Sequence, residues 1–133
     1  MPFSSGRYVI TSVGSDKPVG GRADEDADFG PKDIYSDDAS VAMWEIEARP
    51  DGSYVFKQDG APVSAMGTSL CAFLHYKEEQ VAKWQIRDTD DGNAYEILKA
   101  DGSAGWTVIG SKVNVQSLSG GDADRFVIQS TEF

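Results

Sequence analysis

The sequence has one cysteine, Cys71, which excludes an internal disulfide framework and with it the small bridged secreted domains. It has one histidine, His75, and no Gly-x-Ser-x-Gly elbow, phosphate-binding loop or zinc-ligand cluster. Basic residues are scarce, 12 Lys and Arg against 22 Asp and Glu, for a net charge of −10. That balance speaks against nucleic acid and anionic membrane as partners, because both would be repelled by the surface as a whole. Long hydrophobic runs are missing too. The longest, Leu70-Cys71-Ala72-Phe73-Leu74, is far short of a membrane span. No Asn-x-Ser/Thr glycosylation acceptor occurs, and Met1 to Arg7 lack the basic start and apolar stretch of a secretory signal, so a cytoplasmic location is expected.

What is present is ordinary globular composition, 40% hydrophobic and 26% charged over 133 residues, which predicts a single domain over 1–133. The hydrophobic period is two almost throughout, as in Gly6-Arg7-Tyr8-Val9-Ile10, Gly52-Ser53-Tyr54-Val55-Phe56 and Lys112-Val113-Asn114-Val115-Gln116. Turn signals recur at Asp51-Gly52, Asp59-Gly60, Asp91-Gly92, Asp101-Gly102 and Gly120-Gly121. Short strands at this spacing indicate an all-β barrel or sandwich with almost no helix.

Internal repetition decides between the two. Tyr8, Tyr54 and Tyr95 lead three similar segments, spaced by 46 and 41 residues. Trp44, Trp84 and Phe126 lead a second column, spaced by 40 and 42. Val19, Val63 and the segment Gly105-Trp106-Thr107-Val108 follow the first column at a similar distance. Three units of about 40 residues, with room for four strands each, predict a β-trefoil of twelve short strands in three pseudo-repeats. The aromatic columns are then expected to be core layers rather than ligand platforms, since repeated positions face the same interior. Trp106 has no aromatic equivalent at Val19 or Val63 and is expected to be partly exposed.

Candidate chemistry is sparse. Ser69 to Tyr76 reads as one strand, which would put Cys71 and His75 on one face but roughly 13 Å apart, too far for a thiolate–imidazole pair. Cys71 is expected to be a small buried hydrophobe. Asp24, Asp26 and Asp28 match the first ligand positions of an EF-hand loop, but Phe29 replaces the required Gly and Tyr35 the closing Glu, so no metal is expected. No cofactor and no enzymatic activity are expected. Ricin-type lectin trefoils carry Gln-x-Trp in each repeat. The corresponding residues here are Ala42, Ala82 and Asp124, which lowers the carbohydrate-binding alternative and its glycan partner.

Several co-linear segments carry a family resemblance. They are Ser5-Gly6-Arg7-Tyr8-Val9-Ile10, Glu25-Asp26, Pro31-Lys32-Asp33-Ile34, Trp44-Glu45-Ile46-Glu47, Gly60-Ala61-Pro62-Val63 and Leu70-Cys71-Ala72-Phe73-Leu74. Three more, Ala82 to Ile86, Asn93 to Ile97 and Gly105 to Val108, extend the match over nearly the whole chain. Together they resemble the cospin-type β-trefoil serine-protease inhibitors of mushrooms, which implies a serine protease as partner (trypsin-, chymotrypsin- or elastase-like) and an exposed loop between the second and third strands, approximately Gly20 to Lys32, as the inhibitory element. The family pattern there reads Glu-Asp-Arg-Ser-Leu-x-Pro-Lys, with the Arg entering the specificity pocket. This chain reads Glu25-Asp26-Ala27-Asp28-Phe29-Gly30-Pro31-Lys32. Ala27 cannot supply the charge a trypsin pocket pairs with, and Asp28 adds an unfavourable one, so specificity other than standard trypsin is expected. Ala27 would suit an elastase-like slot, Phe29 a chymotrypsin-like one in a shifted register, and Arg22 is the remaining basic candidate.

Overall fold

A computed structural model describes residues 3–21, 32–38, 43–58, 60–73, 81–89, 94–118 and 120–131. Thirteen strands occur among the described residues, all joined in one antiparallel sheet. They are β1 (Gly6–Ser12), β2 (Val19–Gly20), β3 (Lys32–Asp33), β4 (Tyr35–Ser36), β5 (Met43–Ala48), β6 (Tyr54–Gln58), β7 (Ala61–Met66), β8 (Ser69–Ala72), β9 (Trp84–Asp88), β10 (Tyr95–Lys99), β11 (Gly105–Ile109), β12 (Lys112–Gln116) and β13 (Phe126–Ser130). Among the described residues, the helical content is one short 3-10 turn, Asp122–Asp124. Only Ile34 separates β3 from β4. The strand expected over Ser69–Tyr76 stops at Ala72, after which Phe73 N–H still donates to Pro62 C=O at 3.0 Å. His75 and the Asp91-Gly92 turn lie outside the described residues.

Six strands close on themselves. β1 pairs with β5, β5 with β6, β6 with β9, β9 with β10, β10 with β13, and β13 returns to β1. Closure removes the open edges an exposed sheet would present. The remaining strands cover one end of this barrel. There β8 pairs with β3, β12 with β8, and β4 with β12. Ile34, Leu70 and Val113 are all buried where these strands converge, with Ile34 N–H on Leu70 C=O (3.0 Å) and Val113 N–H on Ile34 C=O (2.9 Å).

The two sequence columns meet across the ladder. Tyr8 faces Trp44, Tyr54 faces Trp84, and Tyr95 faces Phe126. Trp44 and Trp84 also spend their indole N–H groups alike, on Val19 C=O at 2.7 Å and Val63 C=O at 3.3 Å. Each column leaves a space that its own three members do not fill. Phe3 fills the first, with ring centroids 5.4, 6.3 and 5.1 Å from Tyr8, Tyr54 and Tyr95. Trp106 fills the second, at 5.5, 5.6 and 6.0 Å from Trp44, Trp84 and Phe126.

The expected exposure of Trp106 is therefore wrong: its relative accessibility is 0%. A residue shared by three similar units can be supplied by only one of them. Its lack of an aromatic equivalent marks the middle of the core rather than the surface.

Candidate functional site

The described residues on either side of segment 22–31 form two roots, and each root is held by a different chemistry. On the departing side, β2 pairs with β4 through Val19–Ser36 and Gly20–Tyr35. Val19 C=O accepts the buried Trp44 indole N–H, and Gly21 N–H donates to the side-chain oxygen of Gln58. Gln58 shares the inward phase of Tyr54 and Phe56 on β6, so its amide lies at the core edge rather than in solvent. Its NH2 group donates to Met43 C=O at 3.1 Å.

On the returning side, β3 pairs with β8 through Lys32–Ala72 and Asp33–Cys71. Lys112 Nζ lies 2.9 Å from Asp33 Oδ2, and the Cys71 thiol donates to Asp33 Oδ1 at 3.3 Å. The Lys112 hydrogen bond is the main force holding the Asp33 carboxyl below its ordinary range. Partial burial opposes it and the Cys71 thiol adds to it. Lys112 is raised in turn, chiefly by its hydrogen bond to Asp33, and its ammonium sits 5.9 Å from the Tyr35 ring centroid. Cys71 is buried as expected, but it is a hydrogen-bond donor at this root as well as a packing group.

Arg22, Asp26, Ala27, Asp28 and Phe29 lie outside the described residues, as does Asp24. Among the described residues, no group of three or more His, Cys, Asp or Glu side chains could hold a metal ion. No helix there is long and apolar enough to cross a membrane. Sequence reasoning missed both clamps. Gln58 did carry a signal, as a polar residue in the buried phase of an apolar strand. Asp33 and Lys112 carried none, being brought together by topology alone.

Elsewhere, one open cleft is lined by Asp51, Gly52, Ser53 and Gln85, and another by Ser64, Lys83, Lys99 and Asp101. Asp51 accepts the Ser53 N–H (2.9 Å) and hydroxyl, and Asp101 accepts those of Ser103 (2.9 and 2.7 Å). These bonds, the Ser53 hydroxyl first, lower Asp51 to about 2. The Gln85 side-chain NH2 donates to Ala100 C=O. Asp51, Ser53, Gln85 and Asp101 thus direct polar atoms to partners within the protein. Asp124, in the place of the lectin glutamine, is buried and accepts Gly120 N–H at 2.7 Å.

The closed barrel thus holds the backbone on both sides of segment 22–31, at Gly21 and at Asp33. The chain belongs to the peptidase inhibitor I66 family, whose sequence model matches residues 1–131. It shares its fold with a proteinase inhibitor from Coprinopsis cinerea (TM-score 0.82, 23% identity), over 97% of this chain and 99% of that one. A ricin B-like lectin from Macrolepiota procera, solved with lactose, is similar at TM-score 0.75 and 16% identity, over 98% and 99% of the two chains. ThreeFoil, a designed 3-fold symmetric protein, is similar at TM-score 0.71 and 18% identity, over 94% and 99%. No curated protein sequence matches the chain.

Proposed function

We propose that this chain is a serine-protease inhibitor built as one β-trefoil domain over 1–133, with three pseudo-repeats, and that segment 22–31 enters the protease cleft. Membership of a peptidase inhibitor family is the observation that carries the reading. The two clamped roots support its placement, because a segment fixed at both ends loses less entropy on docking and so gains affinity from the same contact area. Protease–inhibitor interfaces bury about 800 Å² per partner, within reach of such a loop and its neighbouring turns.

Ala27 stands where the family pattern has its pocket-filling Arg, so the native specificity is for a protease that accepts a small or apolar side chain. Arg22, Asp26, Asp28 and Phe29 complete the proposed contact segment. Inhibition assays against trypsin, chymotrypsin, elastase and subtilisin test the reading, and no inhibition at micromolar protein would remove it. Lactose-bound structural kin make glycan binding the alternative. Sugar-competable binding on a glycan array, with a blank protease panel, would promote it.

Ala27→Arg tests the register. A central anchor of this type contributes on the order of 2–4 kcal/mol, so trypsin inhibition should appear or strengthen by roughly thirty- to a thousand-fold, more so with Asp28→Ser. A folded double variant no better on trypsin than the parent would sink the placement of Ala27.

A further inference from the structure

We infer that Gln58 is a positioning residue for protease binding: its carboxamide fixes the departing root of the loop, and its loss would turn an inhibitor into a weaker, cleavable one. The inference rests on the reading of segment 22–31 as the protease-binding loop, and it assigns a role to a residue outside that segment.

The geometry is specific to a carboxamide. Gln58 is 9% exposed, yet both halves of its side-chain amide are used. The oxygen accepts Gly21 N–H, while the NH2 group donates to Met43 C=O. The two partners fix the orientation, because a flipped amide would face a donor with a donor and an acceptor with an acceptor. One side chain thus ties together three points that are distant along the chain. Met43 is followed by Trp44, whose indole holds Val19. The first two residues of β5 therefore brace the root together, Trp44 directly and Met43 through Gln58.

Gly21 fits closely against this contact. A Cβ added there would stand 3.1 Å from the Gln58 oxygen, so a larger residue would push the carboxamide away. Strand pairing ends at Gly20, which leaves the Gln58 bond as the last described hold on the backbone before segment 22–31. Fixing this root removes freedom that protease binding would otherwise have to remove.

Three variants test this. Gln58→Met keeps the length and removes both polar ends. Gln58→Glu keeps an acceptor for Gly21 but loses the donor to Met43 and introduces a charge, so it should be the less thermostable of the two. Gly21→Ala disturbs the same contact without altering the core. In Gln58→Met, amide exchange at Gly21 should accelerate about tenfold or more with β1 amides unchanged. Its inhibition constant should weaken by about tenfold or more, with cleavage in segment 22–31 appearing on long incubation.

Gln58→Glu should inhibit better than Gln58→Met despite its lower melting temperature. Gly21→Ala should weaken inhibition several-fold at an unchanged melting temperature. Inhibition that simply follows melting temperature across the variants would overturn the proposal, and so would unchanged Gly21 exchange in Gln58→Met. If the parent inhibits no protease, the inhibitor reading falls, and Gly21 exchange alone decides whether Gln58 holds the root.

Discussion

Trp44 and Trp106 are both fully buried indoles whose rings lie 5.5 Å apart, yet their N–H groups have opposite fates. Trp44 donates to Val19 C=O, whereas the Trp106 N–H is buried with no acceptor among the described residues. Shortening either to Phe removes a similar volume, so the cavity costs are comparable and the polar terms decide the difference. Trp44→Phe strands the Val19 carbonyl, at a cost of about 1–3 kcal/mol. Trp106→Phe instead removes a donor that is already unsatisfied. Trp44→Phe is therefore expected to be the less stable by about 1–3 kcal/mol, read from urea midpoints at constant slope. Equal midpoints would show that the Val19 bond contributes nothing. Trp44 was legible in the sequence as a core residue because it recurs. The role of Trp106 was hidden because a residue serving all three units occurs once.

At the scale of elements, β3 and β4 have two residues each, too short to show a period of two in the sequence. Their place is set by partners from other parts of the chain: β8, β12 and the Asp33–Lys112 pair. That pair gives the returning root a pH dependence. Because the Asp33 carboxyl lies below its ordinary value of 3.8 in the folded protein, its stabilising contribution is complete above that value. It is lost as pH falls from there through the folded value. Asp33→Asn should therefore lower the urea midpoint at pH 7, and the gap from the parent should shrink in a titration toward pH 3. A gap that does not change with pH would mean the ion pair is not its source. The departing root, built from neutral groups, has no such dependence in Trp44 and Gln58.

Over the whole molecule, the threefold pattern was the most legible feature, and for a physical reason. Strand pairs that close one barrel in the same way bring equivalent side chains to the same layer, so Tyr8, Tyr54 and Tyr95 recur, and their cross-strand partners with them. The pairing of these columns could not be read in advance, because spacing along the chain does not say which column faces which. The proposed contact segment is the least repetitive stretch, with no counterpart in the tight turns that join β7 to β8 and β11 to β12. The family resemblance, and not periodicity, drew notice to it as a contact segment. Periodicity finds what packing repeats; a specificity determinant is not repeated, and composition alone passes over it.

The first strand of the chain is an inner one. β1 is paired along one side with β5 and along the other with β13, and Ile10 and Val19 of the same stretch are buried. A peptide bond hydrolysed between Gly21 and Lys32 would accordingly release nothing. The severed amino-terminal piece would stay seated among strands of the other piece, with Gly20 paired to Tyr35, so the two new ends would remain tethered to one barrel. Two such ends meet at an effective concentration on the order of millimolar or above, which narrows the entropic gap between cut and intact chains and favours resealing. Nicked protein should elute as one species from a native sizing column and separate into two only in denaturant. Spontaneous loss of the short piece in native buffer would show that the barrel does not hold it. Where the piece is held, a protease that cuts this chain gains no escape by doing so.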